Sequence, residues 1–305
     1  MFRVITSLIV ALASLSATAA TLPSCNYGKR GSQQCSIVVQ GVTRTLMLHI
    51  PASYRKGNPL LVALHGSPGF YWQPDSQWSA KLDAVGAIGI YPQALPNSTG
   101  HQVWSYHDPR RPDDITFFRT IIGAVQSHLF PDPKRIYMTG FSAGGGMTFG
   151  AGKDMPDVLA AIAPVEAVGS AYPLPGKGPV AVLMLQGSAD LMGRLCGWPT
   201  HPNPPSFDAN FDFWAKNNKC TSFNAAPVCS NGQWNGNVYR SATGCQTNTD
   251  VALYVLVGGR HMWYRVPMTV PPGSSIRPYN HMLNSATGTY EADVIWDFFL
   301  RHPKP

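Results

Sequence analysis

Arg135-Ile136-Tyr137-Met138-Thr139-Gly140-Phe141-Ser142-Ala143-Gly144-Gly145-Gly146-Met147 is the stretch that decides the fold class. Arg135–Thr139 reads as a short buried strand. Gly140-Phe141-Ser142-Ala143-Gly144 follows at once as G-x-S-x-G, and a run of small residues opens the next element. A strand that turns this tightly into a helix needs glycine at the flanking positions to avoid clashes. It holds the serine in a strained conformation, exposed at the helix N-terminus. That is the layout of a serine nucleophile. A phosphate-cradling loop would need GxxxxGK[ST], and no lysine follows here.

Working outward, similar short apolar runs recur at Leu60–Leu64, Ala87–Tyr91, Ala160–Pro164, Val180–Leu185 and Val251–Val257. Each is bounded by Gly, Pro or polar residues, as buried strands of a parallel sheet are. Ser36–Gln40 and Thr45–Ile50 flank Gly41 and predict a hairpin. Asp113–Leu129 carries Ile115, Phe118, Ile122, Val125 and Leu129 on one helical face. Tyr290–Leu300 predicts a closing helix that ends before Pro303. Alternating strands and helices imply one α/β domain with a mostly parallel central sheet and helices on both faces. Residues 192–248 differ in texture: rich in Pro, Asn, Trp and Cys and poor in helical periodicity, they read as a disulfide-stapled insertion.

A serine hydroxyl needs a base to take its proton and a carboxylate to orient that base. In one known α/β arrangement of such groups the chain order is serine, acid, histidine, each on a loop after a strand. Val180–Leu185 runs into Gln186-Gly187-Ser188-Ala189-Asp190, and Val251–Val257 runs into Gly258-Gly259-Arg260-His261. Asp190 and His261 are therefore expected at equivalent carboxyl ends, where α/β ligand sites lie. Asp208, Asp212 and Asp250 read as turn or cap residues. His281 and His302 follow no strand, and His201 sits among prolines. For the oxyanion, one donor is expected from the backbone N–H of Ala143 and a second from His65-Gly66-Ser67-Pro68-Gly69. Pro68 has no N–H, so Ser67 is the candidate, with Gly66 and Gly69 behind it. His65 reads as a residue that holds the loop by hydrogen bonding. Most aromatics are core residues, but Trp72 and Trp263 lie on loops after strands and could wall an acyl pocket. No HExxH, paired metal-ligand cluster or Rossmann glycine pattern appears, so neither metal nor cofactor is expected.

Composition narrows the class. Of 305 residues, 44% are hydrophobic and 13% charged, about half the usual ~25%, which excludes a disordered chain. The net charge of +7 is scattered, with no run of basic residues for nucleic acid. Residues 1–20 read as a secretory signal: Arg3 precedes the apolar run Ile5–Leu15 and the small-residue site Ala17-Thr18-Ala19-Ala20. That run is too short to span a bilayer, and no other stretch is apolar enough, so no membrane partner is expected. The catalytic domain is expected over 21–305, in the periplasm or outside the cell and with a monomer favoured. In an exported chain the six cysteines read as disulfides. Locality favours Cys25 with Cys35; Cys196, Cys220, Cys229 and Cys245 would staple the insertion, in a pairing the spacing leaves open.

These segments together resemble secreted esterases of the polyhydroxybutyrate depolymerase and feruloyl esterase type. The resemblance rests on Leu64-His65-Gly66, Tyr91-Pro92-Gln93-Ala94 with Trp104 after it, Asp113-Asp114 heading a helix, and Arg135–Gly144. It continues through Ala160–Val165 and Gly258-Gly259-Arg260-His261-Met262-Trp263. It implies an α/β-hydrolase fold and acyl-ester hydrolysis by Ser142, Asp190 and His261. The expected substrates are feruloyl or acetyl esters on plant polysaccharide, or short hydroxyalkanoate esters. Ser67-Pro68 replaces the Cys or Ala usual after His-Gly, and Leu191 stands where Pro often follows the acid. Polymer depolymerases of this look often add a linker and a polymer-binding domain, and the absence of both from this sequence argues against attack on crystalline polyester. A peptidase or acyltransferase using the same three residues, and a non-catalytic binding protein on the same fold, are the competing classes.

Overall fold

Alternating buried and exposed residues form a hairpin of two nine-residue strands, β1 (Gly31–Val39) and β2 (Val42–Ile50). Its two-residue turn, Gln40-Gly41, takes positive φ at both positions (51° and 76°), the twist that tight hairpins prefer. β1 begins five residues before the predicted hairpin strand. Its early inward positions are Gln33 and Cys35 instead of aliphatic residues, so the alternation is hidden in the sequence. The structure is a computed structural model and describes residues 22, 24–167, 176–192, 195–196, 206–224, 226–237, 239–263 and 291–305. The predicted leader, residues 1–20, lies outside them, as do His201 and His281.

The remaining strands of the main sheet are β3 (Leu60–Leu64), β4 (Ile88–Pro92), β5 (Ile136–Phe141), β6 (Ala161–Val165) and β7 (Ala181–Gly187), followed by β8 (Ser222–Asn224), β9 (Tyr239–Thr243) and β10 (Val251–Leu256). The order across the sheet is β1-β2-β4-β3-β5-β6-β7-β10-β9-β8. β4, β3, β5, β6, β7 and β10 are parallel, and antiparallel pairs flank them at both edges. Each predicted apolar run lands on one of the six parallel strands, within two residues at either end. These strands are buried on both faces, so they lack the polar alternation of a one-sided sheet.

Among the described residues, five α-helices cover the sheet: α1 (Trp72–Val85), α2 (Asp114–Leu129), α3 (Ala143–Asp154), α4 (Phe207–Asn217) and α5 (Glu291–Arg301). Residues of α2, α3 and α4 pack with Leu60, Val62 and Leu64 on one face. Residues of α1 and α5 pack with Leu61 and Ala63 on the other. The strand's period of two thus feeds two cores. The predicted helix over Asp113–Leu129 is α2. Asp113 is its N-cap, accepting from the Thr116 backbone N–H at 3.0 Å.

The stretch 192–248 is more than an insertion. It contributes α4 and the two strands β8 and β9 to the main sheet. Phe207, Asn210, Phe211, Trp214 and Ala215 are the buried face of α4, an i, i+3, i+4, i+7, i+8 spacing interrupted by one polar residue. Asp208 accepts from Val228 N (3.1 Å), Cys229 N (2.8 Å) and Arg240 Nη1 (2.9 Å). It fastens the segment from inside, instead of serving a turn. Disulfides join Cys25 to Cys35, Cys196 to Cys229 and Cys220 to Cys245. The last two staple this segment, as expected, and Cys220–Cys245 brackets the β8–β9 pair.

Candidate active site

The carboxyl ends of β3, β5, β6, β7 and β10 converge, and their loops carry the site. At the end of β5 the chain reverses into α3 at Ser142, which holds φ 55° and ψ −120°. A Cβ on Gly140 would lie 2.4 Å from the Gly144 carbonyl oxygen, and one on Gly144 would lie 2.5 Å from the His65 carbonyl oxygen. Both neighbours are backbone and cannot give way, so the glycines of G-x-S-x-G are required by contact as much as by torsion.

His261 Nε2 lies 2.8 Å from Ser142 Oγ, and its Nδ1 lies 2.8 Å from Asp190 Oδ2. An ionised Asp190 only accepts, so Nδ1 carries the proton and donates, leaving Nε2 to accept from the serine hydroxyl. The Asp190 side chain is fully buried, and that of His261 is 16% exposed. Gln186 Nε2 donates to Asp190 Oδ2 at 2.8 Å, and Met192 N donates to Oδ1 at 2.7 Å. The acid and histidine loops are also stitched together. Ser188 N donates to Leu256 O, Ala189 N to Gly259 O, and Gly258 N to Ser188 Oγ, all within 2.8–2.9 Å. The three residues expected from sequence are thus brought into one hydrogen-bonded line.

The loop after β3 packs directly against the serine: a Cβ on Gly66 would lie 3.4 Å from Ser142 Cβ. His65 holds that loop. Its Nε2 accepts from Ala94 N at 3.1 Å, so the proton sits on Nδ1, which donates to Gly66 O at 2.6 Å. Burial depresses its pKa to about 4, and the ring stays neutral around pH 7. Trp104 Nε1 donates to His65 O at 2.9 Å, and Ser67 Oγ donates to Gln102 O at 2.6 Å. The peptide bond from Ser67 to Pro68 is cis. Behind the loop, the buried Arg44 guanidinium donates to Gln93 O at 3.2 Å and pairs with Asp114. The edge hairpin, the head of α2 and the His65 loop are thereby fixed to one another.

A cavity of about 310 Å³ opens over Ser142 and His261. Met192, Met262, Trp263 and Phe141 give it an apolar wall, while Gln73 and Gln77 offer amides. Trp263 packs on Trp78, with ring centroids 5.7 Å apart. Trp72 is elsewhere: it starts α1, is 54% exposed and stacks on Phe70 instead of lining this cavity. Of the two aromatics singled out in the sequence, the structure brings only Trp263 to the serine.

One residue at the site went unpredicted. Glu166, directly after β6, is buried, has φ 50°, and accepts from Gly187 N at 3.0 Å through both carboxyl oxygens. Its carboxyl faces that of the buried Asp190, oxygen to oxygen within 4.8 Å. A polar atom of each of Glu166, Asp190 and His261 lies within 4.8 Å of the others. The available signal was an acid at a strand's carboxyl end, one of only two Glu in the chain.

No family model matches the chain. Among solved structures, an acetyl xylan esterase from Aspergillus awamori superposes with a TM-score of 0.55, covering 75% of this chain and 94% of that one at 15% identity. The chain has the α/β-hydrolase fold. Curated relatives of this chain include feruloyl esterase B of Piromyces equi, 30% identical over 235 residues, which are 72% of this chain and 42% of that protein. Feruloyl esterase D of Neurospora crassa is 25% identical over 281 residues, 85% of this chain and 89% of that protein. The chain therefore spans less than half of the first of these relatives and most of the second. The likenesses fall on the esterase types that the sequence motifs resemble, and the named relatives are carboxylic ester hydrolases.

Proposed function

We propose that this α/β-hydrolase is a secreted carboxylic ester hydrolase that works through an acyl-enzyme on Ser142. The observation that carries the reading is the line from Ser142 Oγ through His261 to Asp190, with 2.8 Å at each link. Ser142 Oγ attacks the ester carbonyl carbon while His261 Nε2 takes the hydroxyl proton. Asp190 stays ionised and stabilises the imidazolium. Negative charge moves to the carbonyl oxygen, toward the backbone N–H groups of Ala143 and Ser67. The intermediate collapses, and His261 returns the proton to the departing alkoxide. Water then repeats the sequence, releasing the acid and restoring the serine.

The apolar wall of Met192, Met262, Trp263 and Phe141 suits an acyl group of modest size. With the esterase relatives, it supports feruloyl or acetyl esters of plant polysaccharide, or short hydroxyalkanoate esters, as the substrate class. Secretion is supported by the leader-like residues 1–20 and by three disulfides, which persist in oxidising compartments. Among the described residues, no helix is long and apolar enough to cross a membrane. Turnover of p-nitrophenyl acetate should be measured for the wild type and for Ser142→Ala. The variant is expected to fall by roughly 10⁴-fold or more, with an unchanged circular dichroism spectrum. Retained turnover would remove Ser142 from the mechanism.

A further inference from the structure

We infer that Glu166 is a positioning residue for the proposed triad: in its neutral form it donates a hydrogen bond to Asp190 and so fixes the acid that orients His261. The inference rests on the functional reading above for its kinetic consequences, but not for its structural ones. Two ionised carboxylates are acceptors only and cannot hydrogen-bond each other. Glu166 and Asp190 are both buried with carboxyl oxygens within 4.8 Å of one another, and a proton on one of them replaces the repulsion of two buried charges with a hydrogen bond.

Donor counting decides which partner keeps that proton. Asp190 accepts from Gln186 Nε2, Met192 N and His261 Nδ1, three N–H donors that favour its ionised form. Glu166 receives the Gly187 N–H alone among the described residues. The groups facing it are Asp190 on the β7 loop, His261 on the β10 loop and Glu291 at the start of α5. Both neighbouring acids disfavour a second negative charge there. Burial, then the Asp190 hydrogen bond, push the Glu166 pKa up to about 11. The pair thus carries one negative charge over the working range, and the proton fixes how the two carboxyls face each other.

Placement fits the role. Glu166 and Asp190 stand just beyond the ends of the adjacent strands β6 and β7. Glu166 takes a left-handed conformation unusual for a non-glycine residue. Its backbone N–H donates to Leu185 O at 2.9 Å, which turns its side chain toward Gly187 and Asp190. The Gly187 N–H, shared equally by both carboxyl oxygens, fixes the plane of the group, and the hydrogen of the neutral acid is free to point to Asp190.

The test compares Glu166→Gln with Glu166→Leu. An amide can donate as the neutral acid does, so Glu166→Gln is expected to keep kcat/KM for p-nitrophenyl acetate within about threefold. Its acid limb in the pH–rate profile should also stay in place. Glu166→Leu removes the donor, and kcat should fall about tenfold or more with KM little changed. If Glu166 were ionised, Glu166→Gln would delete a charge beside the imidazole. The acid limb would then move down by about half a pH unit or more, and that result overturns the inference. Infrared spectroscopy of the protein at pH 8 separates this from the hydrolase reading. A protonated-carboxyl C=O band present in wild type and missing from Glu166→Gln supports the inference even if no ester is turned over. Identical spectra from the two proteins refute it whatever the activity. Glu166→Gln and the spectrum keep the test decisive should Glu166→Leu fail to fold.

Discussion

Ser142 is held at φ 55°, a conformation that costs an L residue roughly 1–3 kcal/mol unless its surroundings enforce it. Here the enforcement comes from close packing at Gly144, where a methyl group would meet the backbone oxygens of His65 and Leu64 at 2.5 and 2.7 Å. Gly144→Ala should therefore destabilise the fold by at least about 2 kcal/mol and cut ester turnover, as read by urea unfolding and by initial rates. Wild-type stability in that variant would mean the elbow is looser than these contacts require. Ser142, Asp190 and His261 were legible in the sequence because each ends an apolar run on a short loop, in a fixed chain order. Glu166 was not, because an acid after a strand has no spacing rule and its partner lies 24 residues on. Trp72 illustrates the converse. Its place just beyond a strand's loop suggested a pocket wall, but the helix it starts points the ring toward solvent and Phe70.

Among the elements, α2 shows how a cap links sequence to site. Asp113 accepts from Thr116 N, Thr116 Oγ1 and His107 N, and the next residue, Asp114, pairs with buried Arg44. Asp113→Ala should cost about 1–2 kcal/mol and Asp113→Asn much less, measured as a shift in denaturation midpoint. Equal losses in the two variants would show that charge, not capping geometry, is what matters there. The parallel strands and α2 could be read from the sequence because their apolar residues follow a clear pattern. α1 could not: its buried residues are Pro74, Trp78 and Leu82, a single i, i+4, i+8 line in an otherwise polar segment. α4 and β9 were obscured by the Pro- and Cys-rich texture around them. There, buried Asp208 and Arg240 do work that aliphatic residues do elsewhere in the sheet.

Across the whole molecule, a sheet buried on both faces leaves its strand ends as the place where loops can meet without breaking a core. Five of those loops build the site, and hydrogen bonds between neighbouring loops set it before any substrate arrives. The disulfides join the edge hairpin and the 196–245 segment, and among the described residues no cysteine lines the cavity over Ser142. A fluorophosphonate probe tests, without assuming a substrate, whether His261 makes Ser142 nucleophilic. After labelling and proteolysis, mass spectrometry should find the adduct on Ser142 in the wild-type protein and none in His261→Ala. An unlabelled wild type, or a label on another serine, would contradict it.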